Sequence, residues 1–369
     1  MSARVPFFDL RQQYQAIREE MDRQFANILA GGRFIGGDFI TAFEQEWANA
    51  LNVSHCVALG NGTDALFVAL KTLKLAPGDE VITPAWSWIS SSETITLAGG
   101  VPIFADADEF FTVNVEELKK KRSHKTRGVV VVHLYGQPAA IDAIADWCRQ
   151  NGLFLIEDCA QAHLTTLHGK PVGSWGDLGT FSFYPTKNLG AYGDAGALVT
   201  QRAEWAAFAR RFANHGGLSK DDHPMEGMNS RMDVLQAVAL RVKLKYVAGW
   251  NDRRRANAAL YHELLGNVPE VVLPKIRPGA VHTFHVYAIR AQQRNELKDY
   301  LQQQGIETQI HYPKALPFEP AYQHMGHIPS DFPMAARFQN EVLSLPVYPE
   351  LTEEQIHFVS EQIKNFYSP

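Results

Sequence analysis

Residues 181–198 read FSFYPTKNLGAYGDAGAL, and Lys187 is the only charge in that stretch before Asp194. An ammonium group in apolar surroundings is costly. Desolvation favours the neutral amine, which is a nucleophile and a base. The glycines that follow allow backbone or ligand to approach closely. A lysine that only snorkels to solvent is the alternative. Three other stretches carry groups that would serve an amine's chemistry. GNGTDAL (60–66) sets Gly62 and Thr63 at the start of a helix, where free N–H groups bind phosphate. An ordinary glycine turn capped by Thr63 accounts for it equally well. TPAWSWIS (83–90) offers Trp86 and Trp88, two flat faces for a ring or for a core. IEDCAQAH (156–163) holds Asp158, Gln161 and His163. An acid at the end of a buried strand needs a cation or hydrogen bonds, unless it simply caps a helix.

The elements that must position these groups follow from periodicity. Leu10, Tyr14, Ile17, Met21, Phe25 and Ile28 recur every three or four residues, which predicts a helix over 9–30 with Asp9 as N-cap. GGRFIGG ends it, and a shorter helix with Phe39, Phe43 and Trp47 follows. Short apolar runs then read as buried strands at 55–59, 80–84, 101–106, 128–134 and 153–158. Helical text lies between them at 63–73, 88–98, 115–121 and 142–151. Strands alternating with helices predict a mostly parallel α/β sheet covered on both faces. Runs at 179–183 and 196–200 complete seven strands. Beyond a helix at 202–214 and a polar loop, one long helix is expected over 233–265. The rest alternates short strands, such as FHVYAIR (284–290), with helices. The expected division is a large domain over 1–240 and a smaller C-terminal α/β domain over 241–369.

Ligands in open parallel sheets bind beyond the carboxyl ends of the strands, and all four stretches fall there. They suit one ligand. A phosphate would sit at Gly62, Thr63 and Ser182, a ring under Trp88, a cationic ring nitrogen opposite Asp158, and an aldehyde carbon on Lys187. That ligand is pyridoxal phosphate. GNGTDAL lacks the spaced three-glycine fingerprint of a dinucleotide site.

Composition narrows the classes further. The 369 residues are 46% hydrophobic and 20% charged, with formal net charge −5 and pI near 6.3. Nothing there calls for nucleic acid or an anionic membrane. The basic clusters at 119–122 and 253–255 read as solvated helix faces. Cys56, Cys148 and Cys159 form neither a disulfide framework nor a zinc pattern. Reduced thiols, no apolar leader at the N-terminus and no run of about 18 apolar residues lead to the expectation of a cytoplasmic protein.

The chain resembles the nucleotide-sugar aminotransferases of the DegT/StrS family, which have the fold of the aspartate aminotransferase superfamily. The likeness runs through FFDL (7–10), GNGTDAL, PGDEVITP (77–84), VHLYGQPAAID (132–142), IEDCAQAH, the Lys187 stretch, GMNSRMDVLQA (227–237), HYP (311–313) and PAY (320–322). The resemblance implies that Lys187 carries the cofactor and later moves a proton. It implies that Asp158 pairs with the pyridine nitrogen and is kept ionised by it, and that Gln161 lies at the O3′ side. Trp88 stacks on the ring, and Gly62, Thr63 and Ser182 hold the phosphate. Asn229 reaches the phosphate from the other subunit of a homodimer. Tyr184, His311, Tyr312, Lys220 and His163 fall at substrate positions. L-glutamate is the implied donor. Tyr184 stands where many members acting at C4 have histidine, which implies a 3-keto sugar. The expected substrate is a dTDP-linked 3-keto-6-deoxyhexose, giving a dTDP-3-amino-3,6-dideoxyhexose. A UDP-linked 3-keto-N-acetyl sugar and a 4-keto sugar nucleotide remain open. KALPFE (314–319) departs from the family's commoner text after HYP. Relatives with histidine in place of the lysine are dehydratases, and Lys187 argues against that class. The intact set Lys187, Asp158, Trp88 and Asn229 argues against a non-catalytic regulator.

Overall fold

Val129, Val130, Val131 and Val132 follow one another with no polar side chain, and all four are buried. A strand apolar on both faces has to lie inside a sheet that is covered on both sides. A computed structural model describes residues 5–219 and 221–368 and places it there. In chain order the first part comprises α1 (Leu10–Gly31), α2 (Asp38–Leu51), β1 (His55–Leu59), α3 (Gly62–Thr72), β2 (Glu80–Pro84), α4 (Ser90–Leu97), β3 (Val101–Ala105), α5 (Val115–Lys121) and β4 (Thr126–Val132). Next come α6 (Ile141–Gln150), β5 (Phe154–Asp158), β6 (Thr166–Leu167), β7 (Lys170–Pro171), β8 (Leu178–Ser182), β9 (Gly196–Thr200) and α7 (Ala203–Phe212). The remainder is α8 (Val234–Leu244), α9 (Val247–Leu265), β10 (Val271–Val272), β11 (Ala280–Val281), β12 (Tyr287–Ala291), α10 (Arg294–Gln303), α11 (Pro333–Glu341), β13 (Val342–Leu345) and α12 (Glu353–Tyr367).

The large sheet has seven strands in the order β1-β9-β8-β5-β4-β2-β3. Only β9 runs against its neighbours, β1 and β8. Every other pairing is parallel. The mostly parallel α/β architecture is as expected, and β5, which carries Asp158, lies near its middle. Asp9 caps α1 by accepting from the Arg11 N–H at 2.9 Å. Gly32, at φ 64°, ends that helix. A small antiparallel sheet, β10-β12-β13, is backed by α9, α10 and α12 around Tyr261, Tyr287, Leu297, Leu301, Val359 and Ile363. Cys56, Cys148 and Cys159 are free and buried. Among the described residues no helix is long and apolar enough to cross a membrane.

Three expectations need correction. The long helix over 233–265 is two helices, interrupted at Lys245–Tyr246. No proline or glycine marks the break. α8 lies on α1 and α2, and α9 begins in the same core through Val247 and Trp250 before running onto α12. A boundary at 240/241 would therefore cut through α8, and Val5, at the other end of the chain, packs into the C-terminal core. Lastly, FHVYAIR is strand only from Tyr287. Phe284 turns instead, with φ 42°, its N–H bonded to His282 Nδ1 and its ring stacked on that imidazole at 3.9 Å.

Candidate active site

The end of β5 carries two adjacent acids, which strand alternation sends to opposite faces. Glu157 is fully buried, and every hydrogen bond it receives is local to the sheet. It accepts from the N–H groups of Gly173 (2.8 Å), Trp175 (2.7 Å) and Gly176 (2.7 Å) and pairs with His133 Nε2 at 3.0 Å. The Ala139 N–H donates to His133 Nδ1, so Nε2 carries the imidazole proton. This network anchors the strand end, and sequence reasoning passed it over for Asp158. Asp158 is buried too, but among the described residues only one backbone group, the Ala160 N–H at 3.0 Å, meets its carboxylate. Burial pushes its pKa above the ordinary carboxyl value, against the pull of the Ala160 N–H, Lys187 and His133. The expectation was the reverse. It presumed a cationic ring nitrogen facing the acid, and the chain's own cations only partly offset burial.

Lys187 sits on a turn closed by its own N–H to Tyr184 O (2.8 Å) and by the Ala191 N–H to Phe183 O (2.7 Å). Its side chain is partly buried, and desolvation lowers the amine from 10.5 to about 8, with Asp158 opposing. Among the described residues the amine has no hydrogen-bond or ion-pair partner. Lys187 and Asp158 lie close enough for each to act on the other's charge.

α3 begins against the end of β8. A Cβ added at Gly62 would lie 2.6 Å from Ser182 Cβ, so only glycine lets the two elements close this far. Asn61, not Thr63, caps the helix, accepting from the Asp64 N–H at 2.8 Å. Thr63 Oγ1 instead shares a 2.8 Å hydrogen bond with Ser90 Oγ. Gly62, Thr63 and Ser182 thus meet at one helix N-terminus, which favours an anion. The two tryptophans separate. Trp86 is core, its indole N–H donating to Tyr135 Oη at 3.0 Å. Trp88 is 59% exposed, tilted 42° to Tyr312 at 5.6 Å. Gln161 accepts from the Tyr135 N–H at 2.7 Å and donates to Tyr312 Oη at 3.0 Å. Tyr135 holds positive φ (60°), and its hydroxyl donates to the His311 carbonyl, tying the HYP segment to this turn. His311 Nδ1 meets Ser344 Oγ at 2.9 Å, and burial with Lys187 nearby lowers its pKa to about 4.

Other expected residues lie apart. Tyr184 is exposed on the lysine turn. Asn229 is exposed and bridges Asn214. Its neighbour Ser230 donates to Asp64 and accepts from the Gly60 N–H. Lys220 lies outside the described residues. His163 is the main departure, because its ring is fully buried between Trp47, Phe181 and Phe183, with the Ser182 backbone as its one polar neighbour among the described residues. That aromatic core gives it no face toward a sugar. Burial, with Lys187 adding to it, lowers the pKa of His163 from 6.5 to about 3. The unfolded chain takes up a proton below about 6.5 and the fold does not, so this residue lowers stability as pH falls from there toward 3. His163→Phe is expected to flatten that decline without loss of stability at pH 7.5. Urea midpoints at pH 7.5 and 5.0 measure it, and an unchanged slope would contradict it.

The layout is that of a pyridoxal phosphate enzyme: a lysine amine in want of a partner, an acid at the central strand end, an anion cradle and an open aromatic face. The chain's residues fit that cofactor. The chain belongs to the DegT/DnrJ/EryC1/StrS aminotransferase family, whose model matches residues 15–364, and it is a pyridoxal phosphate-dependent sugar aminotransferase. It is 40% identical over 366 residues to a pleiotropic regulatory protein of Geobacillus stearothermophilus, covering 98% of each chain. It is 37% identical to the dTDP-3-amino-3,4,6-trideoxy-alpha-D-glucose transaminase of Streptomyces venezuelae (98% and 96% covered). It is 38% identical to the UDP-N-acetyl-3-dehydro-alpha-D-glucosamine 3-aminotransferase of Acidithiobacillus ferrooxidans (98% and 97%). Among solved structures it is similar to S. venezuelae DesV in complex with a ketimine intermediate, with TM-score 0.97, 37% identity and 99% of both chains covered. It is also similar to NtdA of Bacillus subtilis with bound cofactor PMP, with TM-score 0.92, 28% identity, and 100% and 86% covered.

Proposed function

We propose that this enzyme moves the amino group of L-glutamate to the 3-keto carbon of a nucleotide-linked sugar, a dTDP-linked 3-keto-6-deoxyhexose in the first instance. The Lys187 amine, which has no hydrogen-bond or ion-pair partner among the described residues and feels the charge of Asp158, supports the transamination. Tyr184, exposed on the same turn, supports the ring position. The names of the S. venezuelae and A. ferrooxidans relatives, both placing nitrogen at C3, support it as well. Those names differ in nucleotide, so a UDP-linked 3-keto-N-acetyl sugar is the nearest rival.

Pyridoxal phosphate, when bound, supplies the aldehyde that takes up the amino group and a ring that spreads the electrons of the broken C–H bond. The chain's residues do the rest. Lys187 would hold the cofactor, and its neutral amine would take and return the proton at the reacting carbon. Asp158 would stand at the ring nitrogen and keep it protonated. Trp88 would cover the ring, Gln161 would lie at the O3′ side, and Gly62, Thr63 and Ser182 would hold the phosphate. Asn229 completes the phosphate site of the second subunit in a homodimer. His311, Tyr312 and Tyr184 would contact the sugar nucleotide. The protein works in the cytoplasm.

Gly62→Ala is expected to press on Ser182 and part α3 from β8. Overpacking of this kind costs about 1–3 kcal/mol. Urea unfolding should show that loss, and titration with pyridoxal phosphate should show weaker binding. Unchanged cofactor affinity would remove Gly62 from the cradle. The substrate is tested with L-glutamate and a panel of keto sugar nucleotides, with products identified by mass spectrometry and NMR. A 3-amino sugar formed in step with glutamate consumed supports the reading. Amination of 4-keto sugars alone would move the ring position, and loss of water or ammonia without glutamate turnover would rule out transfer.

A further inference from the structure

The residue after the lysine is more tightly held than the lysine. Asn188 is 3% exposed. Its Nδ2 donates to Asn251 Oδ1 at 2.7 Å and to the Thr283 carbonyl at 3.0 Å. Its Oδ1 meets His285 Nδ1 at 3.0 Å. The orientation of the whole chain of amides follows from backbone groups, which cannot be flipped. The His163 carbonyl accepts from Asn251 at 3.0 Å, so Asn251 turns its Nδ2 to it and its Oδ1 to Asn188. Asn188 must then present Nδ2 to Asn251 and Thr283, and Oδ1 to His285. His285 must therefore carry its proton on Nδ1. Every polar atom of Asn188 is used, and its partners come from α9 and from the segment 283–285. That segment is itself pinned, by the Thr283 N–H to Gly136 O at 3.1 Å and by Thr283 Oγ1 to Thr165 Oγ1 at 2.8 Å.

We infer that Asn188 is a positioning residue for Lys187, tying the backbone that bears the amine to α9 and to residues 283–285. The inference rests on the proposed role of Lys187. A lysine side chain has four rotatable bonds, and any play in its backbone adds to the spread of its amine. A misplacement of about 1 Å can cost about 100-fold in rate. The turn's own two backbone hydrogen bonds fix its shape but not its place against the rest of the site. Lys243 Nζ holds Gly190 O to α8 at 2.7 Å, and the Asn188 carboxamide supplies the constraint toward α9 and residues 283–285, next to the lysine itself. His285 is its donor on one side, so the imidazole acts through Asn188 and needs no contact with substrate.

The test uses full-length protein stripped of cofactor. Pyridoxal phosphate is added, the adduct is trapped with borohydride, and the modified lysine is mapped by mass spectrometry against time. Four variants are compared with wild type: Asn188→Ala, Asn188→Asp, His285→Ala and His285→Asn. Asn188→Asp keeps the shape but turns both donors into acceptors. His285→Asn restores a donor where His285→Ala removes one. Wild type should be trapped at Lys187. Asn188→Ala and Asn188→Asp should be trapped about 100-fold more slowly, with kcat reduced and the KM for the sugar nucleotide little changed. His285→Ala should be slowed and His285→Asn should recover. Trapping of both Asn188 variants at the wild-type rate would overturn the inference. If neither Asn188 variant folds, the His285 pair decides: recovery in His285→Asn supports the inference, and equal rates in the two overturn it. Failure of wild type to be trapped at Lys187 would instead overturn the reading of the lysine itself.

Discussion

Lys187→Ala is expected to abolish transamination, lowering kcat by about 10⁴-fold or more, the upper range for losing a positioned base. The amine makes no hydrogen bond or ion pair among the described residues, so its removal breaks none. The melting temperature should therefore hold while activity goes. The same variant has a pH signature. The unfolded chain holds the lysine proton up to 10.5, and desolvation lets the folded chain hold it only to about 8. Between those values the unfolded state binds more protons, so wild-type stability rises with pH across the window. Urea unfolding at pH 8 and pH 10 should show that rise, and Lys187→Ala should lack its share. A variant that keeps near-normal turnover with glutamate would remove Lys187 from the chemistry.

Asp158→Asn is expected to reduce kcat by about 10³-fold, the scale for removing one preorganised electrostatic partner. Asparagine keeps the size of the side chain and its oxygen still accepts from the Ala160 N–H. The fold should stand or gain slightly, because burial disfavours the charged carboxyl that the substitution removes. Loss of turnover with an unchanged urea midpoint is the expected pattern. Near-normal turnover would end the role assigned to Asp158.

Most of the architecture was legible because it is written in local patterns. Valines 129–132 can only be an interior strand, and the spacing from Leu10 to Ile28 can only keep one face of a helix apolar. The strand-end stretches around Gly62, Trp88, Asp158 and Lys187 were legible for the same reason, since each joins unusual chemistry to a predicted element end. Glu157 escaped notice because two adjacent acids give no sign of which one strand alternation turns toward the ligand. Tyr135 escaped because a tyrosine at positive φ leaves no mark in the residue type.

The sequence by itself determined the alternating strands and helices, the turn that bears Lys187 and the acid at the end of β5. Period and turn chemistry act over a few residues, and those features need nothing more. The tertiary structure alone decided the break at Lys245–Tyr246, which no proline or glycine marks. It alone sent His163 into the aromatic core and Trp88 to the open face. It alone assembled the clasp on Asn188, whose partners lie 63, 95 and 97 residues away in the chain. Contacts at such separations form only once the sheet and its covering helices are in place, and no local pattern encodes them.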